Sequence, residues 1–181
     1  MPDQDTRDLN GPAAPADAAA RADRVRRLVG EGAQLLSLRR PAEAATRLQE
    51  AYDLDPQNVP AAINLGGAYI LLGKFRLAVP VLEAASLTEP DNVMVWTNLA
   101  AAYLGKLPLA TEAEQDRAIM AYERALALDP AVPHVHYNLG LIYLERNDLS
   151  RAAAQFQQAL ETDPGDKDAR QYLRKLQHGD G

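Results

Sequence analysis

Residues 59–92, VPAAINLGGAYILLGKFRLAVPVLEAASLTEPDN, decide the fold. The stretch predicts a helical hairpin whose two helices have roughly a dozen residues each, short enough to be marginally stable alone. Their stability must therefore come from packing against neighbours rather than from helix propensity. We expect similar units to stack beside this one.

An acidic residue followed by proline recurs along the chain with a period of 34 residues. These pairs are Asp55-Pro56, Glu89-Pro90, Asp129-Pro130 and Asp163-Pro164, spaced by 34, 40 and 34 residues, which indicates one insertion of six. Eight residues after three of the prolines comes Asn-Leu followed by Gly or Ala, and then a tyrosine. Those asparagines and tyrosines are Asn64, Asn98, Asn138, Tyr69, Tyr103 and Tyr143. A fixed period of this length is typical of a repeat protein.

The residues in phase with this period resemble the tetratricopeptide repeat family, whose pattern is W-x2-L-G-x2-Y, then A-x3-F, then P. The third and fourth repeats carry most of the pattern, and the first is degenerate. The third repeat has Trp96, Leu99, Ala100, Tyr103, Ala118, Tyr122 and Pro130. The fourth has His136, Leu139, Gly140, Tyr143, Ala152, Phe156 and Pro164. The second has Ala62, Leu65, Gly66, Tyr69, Ala78, Leu82 and Pro90, and the first has Leu28, Glu31, Gly32, Leu35, Ala44, Leu48 and Pro56.

The resemblance implies an all-α fold, a right-handed α-solenoid of stacked helix-turn-helix hairpins with a C-terminal solvating helix. We expect a flexible N-terminal tail over residues 1–20 and a repeat domain over residues 21–178. The repeats should cover about residues 25–58, 59–92, 93–132 with the insertion at 107–112, and 133–166, followed by a capping helix at 167–177.

Local signals predict where several helices begin. The first helix should cover residues 22–38, and Asn58, Asn92 and Asp166 are predicted N-caps. Thr111 followed by Glu114 predicts a capping box, so the inserted residues should form a loop over residues 106–110 and lengthen the next helix. The insertion is either a tolerated surface loop or a contact for a partner. Pro80 falls inside a helix and predicts a kink there.

Composition excludes several classes of protein. The chain has 47% hydrophobic and 24% charged residues, which is ordinary for a soluble domain with a core. A net charge of −6 argues against a nucleic-acid partner, and the lack of cysteine excludes disulfides and thiolate metal sites. No secretory signal or run of 18 apolar residues is present, so we expect a cytoplasmic protein that does not insert into membranes.

The first helices of the repeats are apolar on two sides, which predicts a binding surface. Leu65 and Tyr69 should pack inward, yet the opposite side of the same helix is also apolar. The resemblance implies that first helices line a concave groove. The predicted groove residues are Ile63, Asn64, Gly67, Leu71, Met94, Thr97, Asn98, Ala101, His134, Tyr137, Asn138 and Leu141. Ile70, Leu104 and Leu144 fit packing between repeats as well.

Asn64, Asn98 and Asn138 recur in this groove, one in each of three repeats. Because an amide is both donor and acceptor, such a row can bind a peptide backbone while apolar neighbours select side chains. The alternative is that these asparagines cap or bridge neighbouring helices.

Basic residues are rare in the groove and concentrated at the start of the chain. The carboxylate clamp of chaperone-binding relatives needs Lys and Arg in the groove, whereas this sequence has Ile63, Gly67, Met94 and Asn98 there. Binding of an acidic chaperone tail through that clamp is therefore disfavoured. Residues 21–40 carry a net charge of +4, which either steers an acidic partner or forms a solvated end face.

No constellation for catalysis or metal binding is present in the sequence. His134 and His136 are two residues apart on one predicted helix, so they point in different directions and cannot share a metal. We expect His136 to be structural and His134 to border the groove. No catalytic residue, metal or cofactor is predicted.

Two functions fit this pattern. The first is a non-catalytic scaffold, an adaptor or assembly factor, that binds a peptide or helical segment of another protein in the apolar, asparagine-lined groove. The second is a self-associating structural protein that uses the same surface or an exposed repeat end, so a homo-oligomer is possible.

Overall fold

A computed structural model of the protein describes residues 15–178, and most of the predicted tail, residues 1–14, lies outside the described residues. Helices and turns account for this whole part of the chain, without a strand. The helices are α1 (Pro15–Ser37), α2 (Pro41–Leu54), α3 (Val59–Leu71), α4 (Phe75–Thr88), α5 (Val93–Leu104), α6 (Glu112–Leu128), α7 (Val135–Glu145), α8 (Leu149–Thr162) and α9 (Lys167–His178). A short 3-10 helix, Leu107–Leu109, lies between α5 and α6.

The helices pair in chain order and the pairs stack. Hairpins α1/α2, α3/α4, α5/α6 and α7/α8 each pack on the next hairpin, and α8 packs on α9. The first helices of the first three repeats also contact one another, α1 with α3 and α3 with α5. The predicted all-α solenoid is therefore confirmed, and the first helices form one side of the stack.

Each hairpin is closed by a small residue of its first helix facing a large residue of its second. A Cβ atom added to Gly66 would lie 2.6 Å from Leu82, and one added to Gly140 would lie 2.7 Å from Phe156. Gly32 approaches Leu48 in the same way. In the third repeat Ala100 and Tyr122 occupy these positions, and both are buried in one core cluster. The glycines are needed because the helix axes cross too closely for a side chain.

The predicted N-caps are confirmed. The side chain of Asn58 accepts a hydrogen bond from the Ala61 amide, and that of Asn92 accepts one from the Met94 amide. Asp166 accepts hydrogen bonds from the amides of Asp168 and Ala169 at the start of α9. These caps satisfy backbone donors that have no partner inside their own helix.

The fourth repeat begins differently because Val132 stands where the second and third repeats have the capping asparagine. Val132 is buried, and its side chain has no oxygen that could accept a hydrogen bond from a backbone amide. Helix α7 starts at Val135, and the preceding His134 adopts a left-handed conformation with φ of 64°. Helix α7 thus begins two residues later in its repeat than α3 and α5 do.

The first helix is longer than predicted. It begins at Pro15 rather than at residue 22, so residues 15–20 belong to a helix and not to the tail. Proline is well suited to a first helical position, and Asp17 in the first turn favours the helix dipole. The alanines that follow have the highest helix propensity of any residue, which explains why the helix extends this far.

Pro80 lies in the first half of α4, as the sequence predicted, and the helix continues past it to Thr88. Its ring removes one backbone donor, which costs a hydrogen bond within the helix. The associated kink stays a prediction.

The insertion forms an ordered turn. Leu107–Leu109 is a 3-10 helix that contacts α7, and Leu107 packs against the core. Thr111 and Glu114 form the predicted capping box, with the Thr111 amide donating to Glu114 over 2.8 Å. Helix α6 has 17 residues against 14 in α2, α4 and α8, as the lengthened helix requires.

Helix α9 covers the last hairpin. Ala169 is fully buried, and the Tyr172 ring stacks on Phe156 with 5.1 Å between centroids and 8° between planes. Arg170, Arg174 and Lys175 are exposed. The C-terminal solvating helix is thus confirmed, with one side packed on the last hairpin and the other exposed.

Candidate partner-binding surface

The first helices of the second, third and fourth repeats are almost free of charge. Helices α3 and α5 contain no charged residue, and α7 contains one, Glu145, at its last position. Charged residues instead lie on the second helices and at the chain ends. A surface built from these helices therefore suits a neutral or apolar segment better than a charged one.

Asn64, Asn98 and Asn138 occupy equivalent half-buried positions on α3, α5 and α7. Unlike Asn58 and Asn92, they neither cap a helix nor form a side-chain hydrogen bond with any described residue. No fully buried side-chain polar atom lacks a partner in this part of the chain, so their amides reach solvent. Capping or bridging of neighbouring helices does not account for these three residues.

The other predicted groove residues differ widely in exposure. Leu71 and Met94 are 65% and 59% exposed, which is unusual for large apolar side chains in a folded domain. Gly67, Ala101 and Leu141 are half-buried. Thr97 is half-buried too, and its hydroxyl donates within its own helix, to the carbonyls of Val93 and Met94.

Ile63 and Tyr137 are turned toward the interior of the stack. Ile63 is only 8% exposed and belongs to the core cluster that contains Val59 and Val95, so it does not line an open surface as predicted. The ring of Tyr137 lies 5.9 Å from Phe156 and 6.3 Å from Tyr172, under α9. Sequence spacing alone could not separate these positions from exposed ones, because first helices here pack on other helices along most of their circumference.

Ile70, Leu104 and Leu144 contribute to packing between repeats. Ile70 packs against the cluster around Leu82 and Leu99, and the other two pack against the cluster of the last two repeats. Their partial burial agrees with the alternative that the sequence left open.

Two tyrosines of the first helices hold neighbouring repeats in register. The hydroxyl of Tyr69 donates to Gln49 and that of Tyr103 donates to Glu83, each over 2.7 Å. Burial is the main cause that raises the pKa of both hydroxyls, so both remain protonated donors at neutral pH. The Arg117 guanidinium lies 3.9 Å from the centre of the Tyr103 ring. These contacts fix α3 and α5, which carry Asn64 and Asn98.

The two histidines do not form a metal site. The Nδ1 atom of His136 is 2.8 Å from the Gln155 side chain, which links α7 to α8, whereas His134 is exposed at the start of α7. Both border a cavity of about 290 Å³ beside Asp163 and Asp166. No group of three His, Cys, Asp or Glu side chains in the described residues could hold a metal.

The basic start of the chain is largely paired with nearby carboxylates. Arg24 pairs with Glu50, Arg26 with Asp23, Arg27 and Arg47 with Glu31, and Arg40 with Glu43. Exposed pairs of this kind contribute little to stability, but they neutralise the local charge. These pairs agree with the alternative of a solvated end face, and whether the arginines also contact an acidic partner is not tested by them.

A cavity that the sequence did not predict lies outside the groove. It has a volume of about 440 Å³ and lies between the turn of the second hairpin and the inserted turn of the third. The six-residue insertion was the signal that marked this place in the sequence. Across residues 15–178, none of the helices is both long and apolar enough to cross a membrane.

Two models of the tetratricopeptide repeat match the chain, over residues 35–103 and 115–167. The chain belongs to the tetratricopeptide repeat family. Tetratricopeptide repeat proteins are generally non-catalytic scaffolds for protein–protein interaction, and this chain is built in the same way.

Similar proteins share the repeats and the fold. The general transcriptional corepressor ssn6 of Schizosaccharomyces pombe is 29% identical over 124 residues, covering 67% of this chain but only 11% of the corepressor. MamA 41-end from Desulfovibrio magneticus RS-1 is 25% identical, with a TM-score of 0.67 over 80% of this chain and 78% of that one. TTC0263, a thermophilic tetratricopeptide repeat protein of Thermus thermophilus, is 23% identical, with a TM-score of 0.71 over 87% and 83%. The last of these shows the fold alone.

Proposed function

We propose that this protein is a non-catalytic adaptor or assembly factor that binds a peptide or helical segment of another protein along the first helices α3, α5 and α7. Asn64, Asn98 and Asn138 hydrogen-bond to the backbone of the bound segment. Apolar neighbours such as Leu71 and Met94 select its side chains.

One observation carries this proposal, namely a row of three amides that have no hydrogen-bond partner among residues 15–178, on a surface with a single charged residue, Glu145. A side-chain amide can donate to a peptide carbonyl and accept from a peptide N–H at the same time, whatever the sequence of the peptide. Contacts with apolar neighbours then add affinity and selectivity. Because α3 and α5 carry no charge, the bound segment should be neutral and apolar.

The test begins with a peptide selected for binding to the wild-type protein from a random display library. Its affinity is then measured by fluorescence anisotropy for wild type and for the variant N64A/N98A/N138A. We expect the dissociation constant to rise at least about tenfold, since each lost hydrogen bond contributes around 0.5–1.5 kcal/mol. The matched control is Q157A/Q171A/Q177A, which removes three exposed amides from α8 and α9.

Equal affinity of wild type and N64A/N98A/N138A for the peptide would contradict the proposal. An equal loss of affinity in both triple variants would contradict the proposal too, because the loss would then not depend on the asparagine row. Circular dichroism melting of each variant checks that the fold is retained.

Self-association is the competing proposal, and sedimentation velocity distinguishes the two. A self-associating protein changes its sedimentation coefficient between low and high micromolar concentration. The scaffold model predicts a monomer at both concentrations and a complex only after the peptide or its parent protein is added.

A further inference from the structure

The cavity between the second and third hairpins has the features of a second binding site. Its apolar part includes Phe75 and Leu109, and Arg76, Lys106 and Arg117 stand around it. It lies at the edge of the solenoid where the hairpin turns are, and none of the three asparagines lines it.

The insertion builds one wall of this cavity. Leu107 packs into the core and anchors the 3-10 turn, while Leu109, two residues later, is 78% exposed beside the cavity. The chain enters the turn through Gly105, whose φ of 57° is left-handed, and a Cβ atom there would lie 3.4 Å from the Phe75 ring. The inserted turn is thus held against both neighbouring repeats and presents an apolar side chain to solvent.

The cations around the cavity differ in how they are engaged. Arg117 pairs with Glu83 and covers the Tyr103 ring. Arg76 and Lys106 form no ion pair with any carboxylate in residues 15–178. Glu114, the acidic residue at this cavity, is held by hydrogen bonds from the Thr111 amide and hydroxyl over 2.8 and 2.9 Å.

This arrangement is basic on an acidic protein. The chain carries a net charge of −6, yet Arg76 and Lys106 form no ion pair within residues 15–178, although Glu114 lies close enough to Arg76 to interact with its charge. Most arginines of α1 and α2, by contrast, have acidic partners. Cations that border an apolar depression attract an anionic group that is attached to an apolar one.

We propose that this cavity binds an acidic peptide segment in which carboxylates flank a large apolar side chain. The apolar side chain lies against Leu109 and Phe75, and the carboxylates pair with Arg76 and Lys106. The site is separate from the first-helix surface and does not depend on the function proposed for that surface. It gives the insertion a function that is specific to the third repeat.

A nucleic acid fits this site less well than a peptide does. Nucleic-acid sites present a stripe or patch of basic residues that follows the phosphates, whereas here the cations surround one small depression.

The test is a titration of the ¹⁵N-labelled full chain with the blocked peptide SDELFDES, followed by NMR at low salt. The comparison peptide is SNQLFNQS, in which amides replace the carboxylates. We expect saturable shifts of the backbone amides of Phe75 and of residues 104–107, 109 and 110 with SDELFDES, and at least about tenfold weaker binding of SNQLFNQS. High salt should weaken the binding of SDELFDES but not the binding of SNQLFNQS.

The variant R76E/K106E should bind SDELFDES at least about tenfold more weakly, because both attractions become repulsions. Its matched control, R21E/K167E, changes the net charge equally at exposed positions on α1 and α9 and should bind like wild type. Leu109→Ser should weaken binding several-fold without changing its salt dependence. All of these positions are exposed, so the fold should be retained.

Several results would overturn the proposal. They are the absence of saturable shifts up to about 2 mM peptide, equal affinity of wild type and R76E/K106E, and an equal loss in R21E/K167E. Shifts confined to α3, α5 and α7 would place the peptide on the other surface. Tighter binding of an eight-residue oligothymidylate at the same amides would assign the cavity to nucleic acid.

Discussion

At the scale of single residues, the two helices of each hairpin can cross closely only where a residue with little or no side chain lies between them. Gly66 faces Leu82 and Gly140 faces Phe156, and both large partners are fully buried. The partner cannot move away freely, because a protein core is packed as densely as an organic crystal. A glycine in a helix costs conformational entropy, so the requirement for space must outweigh that cost.

Gly66→Ala is therefore expected to lower the free energy of unfolding by about 1–3 kcal/mol, as overpacking of a core does. The measurement is urea denaturation followed by circular dichroism. Gly30→Ala is the matched control, because a Cβ atom there would meet nothing within 4 Å. It should raise the free energy of unfolding by roughly 0.5–1 kcal/mol through helix propensity. A stabilising Gly66→Ala would refute the close crossing.

Single residues were partly predictable from the sequence. Gly66, Gly140 and Ala100 share one phase of the repeat in the sequence, and the structure places all three where the helices of a hairpin cross closely. The burial of Ile63 was not foreseen, because it depends on how the first helices of different repeats meet. The sequence pattern of one helix does not show which of its two apolar sides will be covered by a helix of another repeat.

At the scale of elements, the start of α6 shows how the insertion was accommodated. The Thr111 hydroxyl accepts a hydrogen bond from the Glu114 amide, and the Glu114 carboxylate accepts from the Thr111 amide. Thr111→Ala should lower the free energy of unfolding by about 1 kcal/mol, the usual effect of losing an N-cap. Thr111→Ser keeps the hydroxyl and should behave like wild type in the same urea titration.

The stabilising effect of the capping box depends on pH because one of its two members is the carboxylate of Glu114. Hydrogen bonds from Thr111 hold the pKa of Glu114 below its ordinary value of 4.5. A carboxyl group whose pKa is lowered by folding stabilises the protein at pH values above its ordinary pKa. This stabilisation is lost as the pH falls through the lowered pKa. Wild type should thus be more stable than Glu114→Gln at neutral pH, and the difference should shrink as the pH falls below 4.5. A difference that grows on acidification would contradict the capping box.

Helix α9 is expected to stabilise the last repeat through one aromatic side chain. Tyr172 stacks on Phe156, which would otherwise face solvent at the end of the solenoid. Tyr172→Ala should lower the free energy of unfolding by roughly 2 kcal/mol, since both apolar burial and ring stacking are lost. Tyr172→Phe keeps the ring and should change stability little. Equal losses in both variants would show that the hydroxyl, not the stacking, matters.

Element boundaries followed the sequence wherever a local signal exists. Asn58, Asn92 and Asp166 cap the helices that they were expected to cap. Helix α7 starts late because Val132 lacks the oxygen that a cap requires, and α1 starts early because a proline and alanines precede residue 22. Both differences have local causes, which a comparison of the repeats position by position can detect.

At the scale of the whole molecule, the repeat period predicted the stack but not the properties of its surfaces. The period determines which helices are neighbours, because each hairpin can bury its apolar sides only against the next. The uncharged surface of α3, α5 and α7 follows directly from their sequences. The basic cavity does not, because Arg76 and Lys106 come together only through the stacking of two hairpins and an inserted turn.

The two proposed sites make the molecule bivalent, with ligands of opposite character. The first-helix surface suits a neutral apolar segment, and the cavity at the turn edge suits an acidic one. Because no residue is assigned to both sites, N64A/N98A/N138A and R76E/K106E should each impair one ligand and leave the other unchanged. Loss of both ligands in either variant would mean that the two surfaces are a single site.

The central claim is that the asparagine row itself contacts the bound segment. It is tested most directly by following the side-chain amide resonances of Asn64, Asn98 and Asn138 by NMR while the display-selected peptide is added to saturation. Contact predicts that all three resonances shift with one dissociation constant and exchange more slowly with solvent. Saturation of the peptide without a change in these three resonances would contradict the account.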